Sequence, residues 1–498
     1  MHESELDSHS ELQEPEVPTG RSVSRRDFLK IAGAAGATIG LGGGLSGVLA
    51  ACGDDEETTT TTTASGGEET TTSAAMEETT TSVAAEAEMG EEIKIGFVTP
   101  LTGPLASFGL PDEYCVGLWE DYIGDGIMGG DGKKHPVTID VQDSQSDVSR
   151  ASQVAGDLIN NSQVDIMMVA STPDTVTPVV EQCEAGGVPC VSTDCPWQTY
   201  LGQNMETGYK WSYHVFFGGE DWLNENFACY EQLDTNKMVG AMFDNTADGL
   251  FFSEAVPAFL EPRGYTIVDP GRFQPGTEDF TAEISAFKNE GVELIAGNMI
   301  PPDFTNFWKG AAQQDLSVKA CMIGKALLFP DSVDALGSIA NGLLKELWWH
   351  PSFPFKSSLS GETCQQLADG FEAATGNQPT APLLHYVVGE MAIYAVQNAT
   401  DPKSKDAVLA AIESMKVDTI VGPIDFTAPL VEMTGPTPID YPPGPGHKTK
   451  NVYDNGLGAA QWLMQGGTWT FDEVPVDKTA APFMEASTLQ EIKPLPIA

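Results

Sequence analysis

Short apolar runs alternate with longer amphipathic stretches from residue 92 onward. The short runs are rich in Val, Ile and Met, as is typical of buried strands, whereas the longer stretches repeat apolar residues at helical spacing. Strands that alternate with helices predict a parallel sheet covered on both faces. The first set of predicted strands is Glu92–Val98, Val137–Val141, Asp165–Val169 and Val188–Ser192, and the helices between them are Tyr114–Tyr122, Val148–Asn160 and Thr177–Ala185.

A second set of alternating elements follows the first. About 400 residues are too many for one hydrophobic core, so the pattern predicts two α/β lobes. The ligands of such sheets lie beyond the carboxyl ends of the strands. Helices at 363–373 and 383–398 return to the first lobe, and a Pro/Gly-rich loop at 431–455 precedes a last strand at 459–464. The second set of strands is Val239–Phe243, Tyr265–Val268, Leu294–Gly297 and Ala320–Ile323, with helices at Phe251–Phe259 and Phe304–Gln313.

The first 51 residues are predicted to be a targeting segment. Arg25 and Arg26 precede a Gly/Ala-rich apolar stretch, a pattern typical of a twin-arginine export signal. That stretch ends in Leu49-Ala50-Ala51-Cys52, which resembles a bacterial lipobox. The resemblance implies cleavage after Ala51 and a diacylglycerol on Cys52, so residues 1–51 are the signal peptide and acyl chains anchor the mature protein to the cell membrane. No later run reaches the roughly 18 apolar residues of a transmembrane helix.

Residues 52–90 are predicted to be a disordered tether. They are almost entirely Thr, Glu, Ala, Ser and Gly. Such a composition buries too little apolar surface to offset the entropy of ordering the chain. The tether would hold the folded part away from the lipid.

The chain is strongly acidic, with 25 Lys and Arg against 72 Asp and Glu and a formal charge of −47. Nucleic-acid binding needs a basic surface, so we expect no nucleic-acid partner. Attraction to anionic lipid by charge alone is excluded for the same reason. The excess acid is explained by solubility or, less simply, by a cationic ligand.

Eight cysteines are present, and seven remain after the lipidation site is set aside. Cys183 and Cys190 flank a helix end that turns into a strand, a spacing that allows a local disulfide in an exported chain. An odd total leaves at least one thiol unpaired. The sequence has no CxxC, HxH or HExxH spacing, no GxSxG elbow and no phosphate loop, so we expect no metal, no cofactor and no enzymatic activity.

Several segments, in their order along the chain, resemble the leucine/isoleucine/valine-binding family of ABC-importer substrate-binding proteins. The resemblance extends from about Glu92 to Trp469. It is carried by Gly96–Pro104 with Ser107-Phe108-Gly109, by Val169–Thr172, by Gly187–Ser192 and by Ile420–Phe426.

The resemblance implies a type I periplasmic binding protein fold: two Rossmann-like lobes, a three-segment hinge and a ligand in the interlobe cleft. Lobe closure would exclude water from that cleft and make a few polar contacts selective. We expect the crossings near Phe217, Trp348 and Val417. The N-terminal lobe then comprises 91–217 with 349–416, and the C-terminal lobe 218–348 with 417–498.

The same resemblance implies ligand contacts in the first lobe. Phe108 falls at the position of an aromatic or apolar wall, and Ser171 and Thr172 fall where hydroxyls and backbone amides bind a carboxylate. Cys195 and Trp197 fall in the next loop at the cleft. The competing interpretations are that the two hydroxyls only cap a helix and that Trp197 belongs to the core.

Further contacts are implied for the second lobe. Glu220 and Asp221 lie where relatives keep an acid for the ligand ammonium, unless they form a solvated acidic turn, and Met299 lies where relatives often keep a Tyr. Lys325 departs from the family, which tends to have a Glu on this loop. A lysine that does not point to solvent would favour an anion, so the expected solute is a carboxylate or other polar compound with an aromatic or apolar body.

The sequence therefore predicts an extracytoplasmic, lipid-anchored solute-binding protein of an ABC importer. It would act as a monomer and deliver a small organic solute, such as an amino-acid-like, amide or carboxylate compound, to a permease with a cytoplasmic ATPase. The alternative is a sensor: a lipoprotein that presents a small molecule to a membrane receptor.

Overall fold

A computed structural model describes residues 87–205, 207–428, 446–449, 451–479 and 481–492. The expected signal peptide, Cys52 and the tether as far as residue 86 lie outside the described residues. Within the described part, no helix combines the length and the apolar character that crossing a membrane requires.

The described strands and helices follow the alternation that the sequence predicts. In chain order the strands are β1 (Ile93–Thr99), β2 (Ile127–Met128), β3 (Lys134–His135), β4 (Val137–Asp143), β5 (Ile166–Val169), β6 (Cys190–Ser192), β7 (Ser212–Val215), β8 (Met238–Phe243), β9 (Thr266–Val268), β10 (Leu294–Met299), β11 (Ala320–Lys325), β12 (Leu344–Leu347), β13 (Lys416–Thr419), β14 (Gly422–Asp425), β15 (Gly446–Thr449), β16 (Val452–Asp454), β17 (Gly458–Met464) and β18 (Phe471–Asp477). The α-helices are α1 (Asp112–Ile123), α2 (Val148–Asp157), α3 (Pro173–Gly186), α4 (Trp197–Leu201), α5 (Gly219–Glu231), α6 (Ala247–Leu260), α7 (Thr281–Glu290), α8 (Pro301–Gln313), α9 (Pro330–Asp334), α10 (Cys364–Thr375), α11 (Tyr386–Asn398) and α12 (Lys405–Glu413).

Two seven-stranded sheets form the two lobes. The first has the order β15-β16-β7-β6-β5-β1-β4, and the second β18-β17-β12-β11-β10-β8-β9. The first sheet is parallel except for β15, and the second is parallel from β9 to β12 with β17 and β18 antiparallel at its edge. The predicted fold class, two α/β lobes, is confirmed.

Local sequence signals place the helices that border the cleft. Thr172 precedes α3 and Pro173 occupies its first position, where the missing N–H costs nothing. Gly187 ends α3 in the left-handed conformation, with φ 63°. The Thr246 side chain caps α6 by accepting a hydrogen bond from the Gly249 N–H. Each helix begins four residues after the last residue of a strand, α3 after β5 and α6 after β8.

Over the part of the chain that the structure describes, the backbone passes between the lobes three times. It leaves β7 through 216–218 to enter α5, and leaves β12 at Trp348 to return to α10 and α11. A Cβ on Gly218 would lie 2.2 Å from Trp197 Nε1, so the first crossing requires glycine.

The third crossing differs from the one we expected near Val417. Strand β16 pairs with β7 in the first sheet, and the Ile420 N–H donates to Glu390 of α11, so the chain is still in the first lobe at both points. From β16 in the first sheet, the chain enters the second sheet after Asp454, to form β17 and β18. The sequence pattern does not reveal strand β16, or the crossing after it, because the strand has three residues and adjoins a Pro/Gly-rich segment.

The seven described cysteines are buried free thiols. Cys183 and Cys190, for which the sequence allows a bridge, are not joined. Burial, and after it the neighbouring Cys183 thiol, raise the pKa of Cys190 well above its ordinary value. Both side chains belong to the apolar core around α3.

Candidate ligand-binding cleft

A small cavity, about 10 Å³ in volume, lies where the carboxyl ends of the two sheets meet. The first lobe contributes residues that follow β5 and β6, and the second contributes the ends of β10, β11 and β12. Its lining comprises Thr172, Asp194, Pro196, Phe216, Phe217, Asp248, Phe252, Asn298, Lys325, Glu346 and Trp348.

Aromatic rings from two of the crossings form one wall of the cavity. Phe216 contacts Trp348 edge to face with ring centroids 4.9 Å apart, and Phe217 lies 6.1 Å from the same ring. Phe108 extends this wall, because its ring lies 4.9 Å from Phe329 of the second lobe and 6.0 Å from Trp348. Phe108 thus contacts the cavity wall, although it does not itself line the cavity.

The second lobe places a buried cation among carboxylates. Lys325 Nζ lies 3.4 Å from Asp248 Oδ2 and 4.0 Å from Asp244 Oδ2, and donates to Thr246 Oγ1 at 3.2 Å. We call Lys325, Asp244 and Asp248 the Lys325 group. Burial lowers the pKa of Lys325, but Asp244, Asp248 and Asp174 outweigh that effect and leave the pKa raised. The ammonium is therefore charged, and its donors are directed at neighbouring oxygens.

Polar atoms around the cavity are left without hydrogen-bond partners. Among them are Asp248 Oδ1, Asp244 Oδ2 and Asn298 Oδ1 in the second lobe, and Ser171 Oγ and Thr172 Oγ1 in the first. All five side chains are buried. A buried polar atom without a partner costs about 1–3 kcal/mol, so this concentration from both lobes makes the cavity the candidate ligand site.

The first lobe holds a second buried cation. His385 Nδ1 donates to Asp112 Oδ1 at 2.7 Å, and its Nε2 donates to Asp194 Oδ2. We call these three residues the His385 group. Burial lowers the pKa of His385, but Asp194 and Asp112 outweigh burial and raise it to about 10. The ring is therefore an imidazolium at neutral pH, and Thr99 Oγ1 donates to the second oxygen of Asp112.

Three non-glycine residues at the cleft have positive φ angles: Ser171 at 100°, Asp194 at 70° and Lys325 at 66°. Each lies at or just after the carboxyl end of a strand. Side chains rarely adopt this region of backbone space, and such strain is concentrated at functional sites.

The structure brings some of the sequence-predicted residues to the cavity and not others. Thr172 and Lys325 line it, and Ser171 adjoins it on the same loop. The Thr172 side chain makes no capping hydrogen bond to α3, so the capping interpretation does not account for its hydroxyl. Cys195 and Trp197 pack in the first-lobe core, where Trp197 Nε1 donates to Glu220 at 3.1 Å.

The acidic pair at the start of α5 lies at the first crossing and is buried, not a solvated turn. Asp221 accepts a hydrogen bond from the Gly218 N–H at 2.9 Å. Oxygens of Glu220, Asp221 and Asp454 lie within 4.8 Å of one another, the spacing that a shared ion would need. Met299 packs in the core of the second lobe instead of facing the cavity.

The sequence-predicted set lacks most of the charged groups. Asp112, Asp244, Asp248, Glu346 and His385 were absent from it. An acid directly after an apolar strand, as in Phe243-Asp244, was the available signal.

The structure pairs the charge of Lys325 with acids that the sequence did not connect to it. Carboxylates of its own lobe lie against the ammonium, and Asp174 of the first lobe adds a third acid nearby. Burial raises the pKa of Glu346, also in the lining, to about 7. Among the charged residues that line the cavity, three acids (Asp194, Asp248 and Glu346) therefore accompany one cation, Lys325.

Comparisons with known proteins agree with this architecture. A family described as "Periplasmic binding protein" matches residues 92–439, and a twin-arginine translocation signal matches residues 22–42. Leu/Ile/Val-binding protein homolog 6 of Brucella suis is 25% identical over 384 residues, which cover 75% of this chain and 89% of that protein. The twin-arginine signal together with this family indicates export from the cytoplasm.

Solved structures share the fold. The branched-chain amino acid transporter substrate-binding protein LivJ of Streptococcus pneumoniae, in complex with isoleucine, aligns with a TM-score of 0.59 at 17% identity and covers 77% of this chain and 99% of its own. A solute-binding protein of an ABC transporter from Rhodopseudomonas palustris, in complex with 3,4-dihydroxybenzoic acid, gives a TM-score of 0.60 at 16% identity, covering 78% and 99%. By its two lobes and by the match over residues 92–439, this chain belongs to the periplasmic binding protein family.

Proposed function

We propose that this chain is an exported solute-binding lipoprotein of an ABC importer. It captures a small organic solute between its lobes and delivers it to a permease that is driven by a cytoplasmic ATPase. The observation that carries the proposal is the interlobe cavity, because both lobes direct buried polar atoms without partners toward it. A ligand that bridges the two lobes would supply partners for these atoms.

The relatives support this class of function. The Brucella protein is named as a Leu/Ile/Val-binding homolog, and the two aligned structures hold isoleucine and 3,4-dihydroxybenzoic acid. Their ligands are small organic molecules. The role inferred for this chain is binding without catalysis, as a monomer.

Closure of the lobes explains how affinity would arise. Thr172 of the first lobe and Lys325 of the second line one cavity, so a solute between them completes contacts that neither lobe makes alone. Exclusion of water strengthens those contacts. The aromatic wall at the crossings would support the apolar part of the solute.

The lipid anchor is proposed from Leu49-Ala50-Ala51-Cys52. A diacylglycerol on Cys52 would keep the protein at the outer face of the membrane, near its permease. Incorporation of a labelled fatty acid into the wild type and not into Cys52→Ser would support the anchor; equal labelling of both would contradict it.

Solute capture is tested by equilibrium dialysis of the full chain against a metabolite extract, with mass spectrometry of the retained solute. The Ser171→Ala/Thr172→Val double variant should bind that solute about tenfold or more weakly, because each hydroxyl hydrogen bond contributes about 1 kcal/mol. Its stability without solute should be unchanged, since these hydroxyls make no hydrogen bond within the protein.

The matched control is Ser149→Ala/Thr266→Val, which makes the same chemical changes at exposed positions of α2 and β9. Retention of no solute would refute the proposed function. Equal affinity in the double variant and the control would remove Ser171 and Thr172 from the site.

A further inference from the structure

The two buried cations at the cleft are each paired with two carboxylates of their own lobe. Lys325 is directed at Thr246 and at the carboxylates of Asp248 and Asp244. Both ring nitrogens of His385 donate to Asp112 and Asp194. A carboxylate that entered the cavity would therefore find these cations already neutralised.

The carboxylate oxygens without partners require the opposite kind of ligand. Asp248 Oδ1 and Asp244 Oδ2 accept no hydrogen bond, and an ionised carboxylate can only accept. Asp194 and Glu346 line the same cavity. Because Asp194, Asp248 and Glu346 of the lining face one lining cation, Lys325, a ligand donor with positive charge would balance these acids better than an anion would.

The helix N-terminus at the cleft does not make the cavity favourable for an anion. The N-terminus of α3 follows Thr172, and such a terminus commonly binds anions. Here its first turn carries Asp174, whose pKa is raised by burial, lowered by Lys325 and raised by Asp244 of the second lobe. An anion at this point would meet the Asp174 carboxylate beside the helix terminus.

The aromatic wall suits the rest of such a ligand. Phe216, Phe217, Phe252 and Trp348 line the cavity beside the acids. Aromatic faces attract cations and bury alkyl groups, so one molecule with a charged nitrogen and a short hydrocarbon part would use both surfaces.

We propose that the ligand is a small organic cation, a protonated alkylamine without a carboxylate, whose nitrogen binds Asp248 and whose hydrocarbon part packs on Phe216 and Trp348. The inference rests on the proposed function. It changes the solute class from the acid that Lys325 alone suggested to an amine.

The test compares three probes with one hydrocarbon skeleton. These are 2-methylbutylamine, isoleucine and 3-methylpentanoate, which carry the ammonium alone, both groups and the carboxylate alone. Putrescine extends the amine series and 3,4-dihydroxybenzoate the acid series. Calorimetry with the full chain should show binding of an amine and at least about tenfold weaker binding of the acids and of isoleucine.

An isosteric variant then tests the carboxylate. Asp248→Asn should weaken amine binding about 10- to 100-fold, because a charge-assisted hydrogen bond is lost. Glu254→Gln is the matched control, as Glu254 is an exposed acid on the same helix and should leave affinity unchanged. Circular dichroism without ligand shows whether the variant folds, and the probe comparison needs no variant.

The outcomes separate this inference from the proposed function. The dialysis could retain an acid or a zwitterion, or isoleucine or an acid could bind more strongly than every amine. Either outcome would leave the proposed function standing and would overturn the inference that the ligand is a cation. Retention of no solute, together with no binding of any probe, would refute both. Amine binding that is insensitive to Asp248→Asn would overturn the assigned carboxylate contact.

Discussion

In each lobe one buried cation lies between two buried carboxylates at the cleft end of the sheet. In the His385 group the imidazolium has two N–H donors, and each donates to one acid. In the Lys325 group the ammonium lies 3.4 Å and 4.0 Å from its acids, and oxygens of both are left without hydrogen bonds. Each group consists of one cation and two acids, but of the two groups the Lys325 group is the one in which carboxylate oxygens accept no hydrogen bond.

This difference separates a structural ion group from one that recognises a ligand. The His385 group joins three distant parts of the first lobe: α1, the loop after β6 and the turn before α11. The Lys325 group lies on neighbouring elements of the second lobe, beside the cavity. We infer that the first group stabilises its lobe and that the second is completed by the ligand.

His385→Leu should have the largest effect on the free energy of unfolding, and it tests most directly whether the two ion groups differ in role. Removal of the imidazolium leaves Asp112 and Asp194 buried without their cation, which should lower the free energy of unfolding by about 3–5 kcal/mol. Urea denaturation of the full chain measures the loss. Replacing both acids by Asn in the same variant should recover part of it, and a loss under 1 kcal/mol (about the worth of an exposed pair) would contradict a structural role.

The same variant should also change how stability depends on pH. The folded-state pKa of His385 is raised to about 10 from an ordinary value of 6.5. Its contribution is therefore complete below about pH 6.5 and is lost as the pH rises through 10. Wild-type stability should fall across this window more steeply than that of His385→Leu; equal slopes would mean that the ring is not charged. Glu346 titrates in both proteins, so it does not affect the difference.

Lys325→Met should have a smaller effect on stability, about 1–3 kcal/mol. Burial already raises the pKa values of Asp248 and Asp174, so these acids can take up protons when the ammonium is removed. Urea denaturation compares the stability of Lys325→Met with that of Lys309→Met, a control in which an exposed lysine on α8 is replaced. A loss as large as that of His385→Leu would show that the two ion groups are equivalent.

The sequence predicted the strands and helices wherever the apolar pattern was long. Strands β1, β4, β5, β8, β10 and β11 begin within one residue of their predicted starts. Strand β16 was missed because three residues next to a Pro/Gly-rich segment give no period, and the third crossing was misplaced with it.

The site was less predictable, for a physical reason. His385 lies 273 residues from Asp112, so only the completed fold brings their charges together. A lysine at 325 is visible in the sequence, but the carboxylates that neutralise it belong to another element. The sequence also does not show which way a side chain points, and Trp197 and Met299 proved to pack in the lobe cores.

Ser171, Asp194 and Lys325 have a consequence for how this protein could change its cargo over evolution. All three hold a backbone bend that glycine would adopt without strain, yet each carries a polar side chain. Asp194 and Lys325 are held by the ion pairs of their lobes, whereas the Ser171 hydroxyl makes no hydrogen bond within the protein. New specificity could therefore arise at Ser171, with glycine as an intermediate between one polar group and the next.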